Sequence, residues 1–191
     1  MIPYSRQQIT ERDIKEVEKV LRSDFITQGN IVPKFENSII NETGAKFATA
    51  VNSATSALHI SCLALDLSKN DYLWTSANSF VASANCGIYC GAKIDLVDID
   101  ENDWNISICS LKKKLIVAEK KNILPKILVT VHFSGQPTFQ EEIYKLSKKY
   151  KFKIIEDASH ALGSKYRNSK IGNGKFSNVC VFSLHPVKPI T

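Results

Sequence analysis

The sequence contains no apolar run approaching the ~20 residues that cross a bilayer. Its opening stretch, MIPYSRQQITERD, has no apolar core of the kind a secretory leader needs, so no signal peptide is expected. There is no G-x-x-x-x-G-K-[ST] loop and no G-x-G-x-x-G fingerprint, which argues against a Walker-type NTPase and against a dinucleotide-binding module. Internal repeats, low-complexity tracts and Pro/Gly/Ser linkers are also missing. The five cysteines, Cys62, Cys86, Cys90, Cys109 and Cys180, are odd in number. Cys86 and Cys90 stand one helical turn apart without a second Cys/His pair, so no metal site is expected. Reduced, mostly packed thiols and a cytoplasmic location follow.

What is present suits a protein with a real core. Of the 191 residues, 43% are hydrophobic and 23% charged, an ordinary globular balance. The net charge is +6, with much of the excess in Lys112–Lys114, Lys120–Lys121 and Lys148, Lys149 and Lys151. Each cluster lies on a stretch that reads as an amphipathic surface helix and no nucleic-acid-binding motif accompanies it, so they read as solvated helix faces and not as a nucleic-acid footprint.

Helical and strand-like segments alternate. Thr10 followed by Asp13 forms a capping-box start, with Ile14, Val17 and Leu21 at helical spacing behind it. FITQGN (25–30) breaks that helix, and KFENSIINETG (34–44) predicts a second one, stopped by Gly44. Strands are predicted at 46–52, 72–76, 93–99, 126–133, 151–157 and 178–183, and helices at 53–65, 79–91, 107–122 and 138–150. This alternation is the pattern of parallel βαβ units, with strands buried on both faces.

In such sheets ligands bind beyond the carboxyl ends of the strands. NSATSALH (52–59) is a strand, a polar turn and a helix start; it suits a phosphate at a helix N-terminus and equally a Ser/Thr cap without ligand. IIEDASHALG (154–163) places Asp157 at a strand end, with His160 three residues on. GNGKFSN (172–178) reads as a surface turn. In FSLHPVK (182–188), Pro186 precedes Lys188 and Pro189 follows it, which restricts the backbone there. A lysine on a rigid turn, a strand-end aspartate and a phosphate cradle together suggest pyridoxal 5'-phosphate, which needs a lysine for covalent attachment, an acid on its ring nitrogen and a cup for its phosphate.

These blocks, with PYSRQQI, FITQGN, SFVASANCGIYCGAKIDLVDID, HFSGQP and VFSLHPVKPIT, occur in an order that resembles the DegT/DnrJ/EryC1/StrS sugar-nucleotide aminotransferases across essentially the whole chain. The resemblance implies the large cofactor-binding domain of the fold-type-I aminotransferase fold, α/β with a mostly parallel sheet flanked by helices. Residues 1–191 would be the N-terminal part and an incomplete large domain, without the smaller C-terminal domain. NSATSAL, SHALGS and KPIT look most like members that aminate C4 of a UDP-linked 4-keto-6-deoxy-N-acetyl amino sugar, with L-glutamate as donor, in pseudaminic acid biosynthesis.

The resemblance also implies roles. Lys188 would carry the cofactor and be catalytic, Asp157 would pair with the ring nitrogen, and Phe80 would stack on the ring. Thr55, Ser56 and Ser183 would hold the phosphate, and Ala54 would also contact the cofactor. His160 would stand near the ring hydroxyl, where many relatives have glutamine. Tyr4, Asp24, Phe25, Ile26, Thr27, Ala54 and Ser183 would line the sugar-nucleotide site. Relatives with histidine in place of the lysine dehydrate instead, so Lys188 favours transamination. A cytoplasmic homodimer is implied for the full-length protein, with no nucleic-acid or membrane partner. Relatives continue after this threonine, so the chain is expected to be a fragment that is inactive by itself; the competing readings are a fragment acting only as an interaction module and a C4 aminotransferase for another nucleotide sugar.

Overall fold

The computed structural model describes residues 6–190. Helix α1 (Glu11–Leu21) opens with the capping box: the Thr10 side chain accepts from the Asp13 N–H, and the Asp13 carboxylate accepts from the Thr10 backbone at 2.7 Å. Helix α2 (Ile31–Thr43) begins three residues earlier than its sequence pattern indicates and ends at Gly44 in the left-handed conformation. Then follow α3 (Ala54–Ala64), β1 (Tyr72–Ser76), α4 (Ala82–Tyr89), β2 (Lys93–Val97), α5 (Ile108–Lys120), β3 (Ile127–Val131), α6 (Gln140–Tyr150) and β4 (Lys153–Asp157). A two-stranded hairpin, β5 (Lys165–Tyr166) and β6 (Ser169–Lys170), precedes β7 (Val179–Val181).

Strands β2, β1, β3, β4 and β7 form one sheet in that order, and every pairing is parallel. The period of two along each strand divides the core into two layers. Leu73, Val129, Ile155 and Val181 pack with Leu58 and Cys62 of α3 and with Ala82 and Cys86 of α4. Trp74, Leu128 and Ile154 pack on the opposite face with Leu111 and Leu115 of α5 and Ile143 of α6. Gly87 marks how closely α4 lies on the sheet: a β-carbon there would meet Ile94 Cδ1 at 2.5 Å and Leu73 Cβ at 3.1 Å. Gly87→Ala is therefore expected to destabilise the full-length gene product by about 1–2 kcal/mol, since overpacking outweighs the gain in helix propensity. An unchanged or raised melting temperature would contradict this.

Residues 46–52, read above as a strand, pair with no strand among the described residues. Phe47 is exposed, and the run lines the same cavity as β7 without pairing with the open outer edge of that strand. The hairpin β5–β6, which periodicity does not reveal, turns at Arg167 with φ of 53°. Strand β7 is only partly covered, with Val179 and Cys180 half-buried, whereas the sequence reads as a strand enclosed on both faces. The cysteines are free, as expected; Cys62 and Cys86 are buried and Cys109 is exposed. The contact with the Cys86 thiol, and then burial, push the Cys62 thiol far above its ordinary range, so Cys62 is a packing group and not a nucleophile. No described helix is long and apolar enough to cross a membrane.

The apolar stripe of α1 is exposed among the described residues. Ile14, Val17 and Leu21 are 50%, 61% and 67% exposed, and Phe25, Ile26, Ile60, Leu63 and Ile88 add to the exposed apolar surface. An exposed apolar surface of this extent marks an interaction site or an association liability. The polypeptide of these 191 residues, expressed by itself, is accordingly expected to self-associate. Sedimentation velocity showing a monomer across a wide concentration range would refute that.

Candidate active site

The carboxyl ends of β3, β4 and β7 converge on one cavity of ≈ 1350 Å3. Asp157, the last residue of β4, stands beside Val131 on one side and Val181 on the other. It is 4% exposed, yet its carboxylate is well provided with donors. Oδ2 accepts from the Ser83 hydroxyl of α4 at 2.6 Å, and Oδ1 accepts from the Ser159 hydroxyl at 2.7 Å and the Ser159 N–H at 3.2 Å.

Lys188 lies on the turn after β7, where its backbone N–H donates to the His185 carbonyl at 2.8 Å. Its Nζ is 2.8 Å from His160 Nε2. Burial, and then the Lys188 charge, hold the His160 pKa below the ordinary imidazole value, with Asp157 opposing them. A neutral ring whose Nε2 carries no proton can accept a hydrogen bond from Lys188 Nζ. His160 is itself held by the turn after β3. Gly135 has φ of 83° and approaches so closely that a β-carbon would sit 2.8 Å from the His160 carbonyl oxygen. The Ser164 hydroxyl closes the pair of loops by donating to the Gly135 carbonyl at 2.8 Å.

Helix α3 points its N-terminus into the same cavity, with Ala54 and Thr55 in the wall. Ser53 caps it: the hydroxyl accepts from the Ser56 N–H at 3.1 Å and lies 3.0 Å from the Ser56 hydroxyl. The cap accounts for Ser56, which does not line the cavity, while the N–H groups of Ala54 and Thr55 have no acceptor inside the helix. Phe80 and Ser183 also line the cavity, and Phe80 is 70% exposed.

The structure thus brings together Ala54, Thr55, Phe80, Asp157, His160, Ser183 and Lys188. It does not bring in Asp24, Phe25, Ile26 and Thr27, which lie on the exposed turn after α1 outside the cavity wall. Tyr4 falls outside the described residues. Ser83 and Ser159, absent from the sequence reading, join through their bonds to Asp157. Ser159 could have been found as a serine two residues past a strand-end aspartate; Ser83, 74 residues away along the chain, carries no local signal.

A parallel sheet covered by helices, with a lysine, an imidazole and a buried carboxylate gathered at the strand ends beside a helix N-terminus, is an α/β protein with a cleft at the carboxyl edge of its sheet. The DegT/DnrJ/EryC1/StrS aminotransferase family model matches residues 7–191. The UDP-4-amino-4,6-dideoxy-N-acetyl-beta-L-altrosamine transaminase of Campylobacter jejuni is 40% identical over 191 residues, which is 100% of this chain and 49% of that protein. Helicobacter pylori PseC, an aminotransferase involved in the biosynthesis of pseudoaminic acid, superposes with a TM-score of 0.85 at 35% identity, over 99% of this chain and 49% of that one. Spr1654 of Streptococcus pneumoniae in its PLP form superposes with a TM-score of 0.89 at 28% identity, over 100% of this chain and 50% of that one. This chain belongs to the DegT/DnrJ/EryC1/StrS aminotransferase family, whose cofactor is pyridoxal phosphate. It spans about half the length of the curated relatives it matches.

The residues present fit that cofactor. The cavity wall holds a lysine amine whose hydrogen-bond partner is a neutral imidazole, and a buried carboxylate already oriented by hydroxyls. It also holds two backbone N–H groups of a helix N-terminus, which suit a phosphate.

Proposed function

We propose that the protein carrying these residues is a pyridoxal-phosphate-dependent aminotransferase that aminates C4 of a UDP-linked 4-keto-6-deoxy-N-acetyl amino sugar, with L-glutamate as donor, in the formation of pseudaminic-acid-type glycans. The observation that carries this reading is Lys188 Nζ lying 2.8 Å from His160 Nε2 in the cavity that Asp157 also lines. The bound cofactor would supply an electron sink for the carbon that loses its proton.

The protein's own groups do the rest. Lys188 would hold the cofactor and, when its amine is free, would move a proton through Nζ. His160 Nε2 lies 2.8 Å from that amine and would orient it. Asp157 would pair with the ring nitrogen, and its negative charge would favour the protonated ring. The N–H groups of Ala54 and Thr55, with Ser183, would hold the phosphate, and Phe80 would stack on the ring. The reading includes a cytoplasmic homodimer. The 191 residues by themselves are taken to be inactive, because a cavity of ≈ 1350 Å3 exceeds the roughly 300–1,000 Å3 of a formed ligand site and leaves Phe80 in solvent.

The test is to incubate the full-length gene product with L-glutamate and a panel of UDP- and GDP-linked 4-keto sugars, measuring 2-oxoglutarate and the amino sugar. Amination of the UDP-linked 4-keto-6-deoxy-N-acetyl amino sugar with the highest kcat/KM supports the reading. A preference for another nucleotide sugar would overturn the substrate, and turnover of none would overturn the activity.

A further inference from the structure

Ser83 is fully buried at the second residue of α4. A serine inside a helix normally turns its hydroxyl to water or back to a carbonyl of the preceding turn. Here the hydroxyl instead donates to Asp157 Oδ2 at 2.6 Å, across 74 residues of chain. Oδ1 is held separately by the Ser159 hydroxyl and N–H. Ser159 lies two residues on, in the turn that follows Asp157, and would follow it in any small movement. Ser83 belongs to a different element, fixed on the sheet through the close contact of Gly87 with Leu73 and Ile94. It is the contact that ties the carboxylate to a helix packed on the sheet and not merely to the turn that follows it.

We propose that Ser83 is a positioning residue: its hydroxyl sets the plane of the Asp157 carboxylate so that a lone pair is directed at the ring nitrogen of the cofactor. This rests on the reading of Asp157 given under Proposed function. The three bonds consume one lone pair on Oδ2 and two on Oδ1, and leave the second lone pair of Oδ2 available. Without the Ser83 donor the carboxylate can rotate about its terminal torsion, which is intrinsically soft, and the buried bond to the cofactor ring lengthens or is lost.

The experiment uses the full-length gene product and two variants, Ser83→Ala and Ser83→Cys. Cysteine keeps the volume but is only a weak donor, so a role in packing predicts that Ser83→Cys behaves as wild type. A positioning role predicts that both variants lose the same property. Pyridoxal phosphate is titrated into cofactor-free protein, and the 15N shift of the ring nitrogen is read with labelled cofactor. In both variants the Kd is expected to rise about tenfold or more, the usual size of a lost hydrogen bond to a charged group. The ring nitrogen should shift toward its unprotonated position. Wild-type affinity and ring-nitrogen shift in Ser83→Cys would overturn the proposal. Asp157→Asn, measured alongside, separates the two levels: if it leaves the ring nitrogen unchanged, the reading of Asp157 fails; if it changes the ring nitrogen while both Ser83 variants do not, only the role of Ser83 fails.

Discussion

Lys188→Ala in the full-length gene product is expected to abolish covalent attachment of pyridoxal phosphate and to reduce transamination below detection. The cavity contains one lysine amine at the strand ends that has a neutral hydrogen-bond partner, Lys188 Nζ with His160 Nε2 at 2.8 Å. Lys46, the other lysine in the wall, places its ammonium over the Phe47 ring at 5.3 Å. Removing Lys188 deletes both the covalent link and the proton carrier. General acid–base catalysis by one positioned group typically contributes 10²–10⁴-fold, and the loss of the anchor adds to that. The measurement is borohydride reduction of the loaded protein followed by peptide mapping. Finding the pyridoxyl group on another lysine in the wild type, or retained turnover in the variant, would show the assignment to be wrong. Melting should change little, since the turn that carries Lys188 lies on the surface.

The sheet was legible because its strands obey one rule. In β1, β3 and β4 a short apolar run is followed by a polar turn, and burial on both faces requires that pattern. The same period of two explains how β4 ends: Ile155 and Asp157 face α3 and α4, while Ile154 and Glu156 face α5 and α6, where Glu156 accepts from Gln140. Asp157 could be singled out from sequence because it is the residue at which this strand leaves the sheet. Residues 46–52 have the composition of a strand, but composition cannot supply a neighbour, and no described strand lies alongside. The stripe of Ile14, Val17 and Leu21 correctly predicts a helix, though its residues are exposed; periodicity states which face is apolar and not what covers it. Ser83 stayed hidden for another reason. In SFVASANCG it looks like one of several small residues that let a helix approach a sheet, and only the three-dimensional pairing of α4 with the end of β4 gives its hydroxyl a partner.

Asp157→Asn should lower kcat by about 10²–10³-fold, the usual cost of removing one preorganised electrostatic contact, while pyridoxal phosphate still binds through Lys188 and the α3 N-terminus. The substitution keeps the size of the side chain, so the packing of a residue only 4% exposed is preserved. It removes the negative charge that favours a protonated ring nitrogen. It also creates a mismatch. The hydroxyls of Ser83 and Ser159 both donate to Asp157, and an asparagine can offer an acceptor oxygen to only one of them. Its amide nitrogen must face the other hydroxyl, which can turn to accept, and this limits the cost in stability to about 1–3 kcal/mol. Cofactor retention with a collapse of kcat and little change in KM is the expected pattern, because the lost interaction matters most where charge develops on the ring. Wild-type kcat in Asp157→Asn would remove Asp157 from the chemistry. A protein that no longer holds cofactor at all would mean that the carboxylate anchors the ring and does not merely tune it.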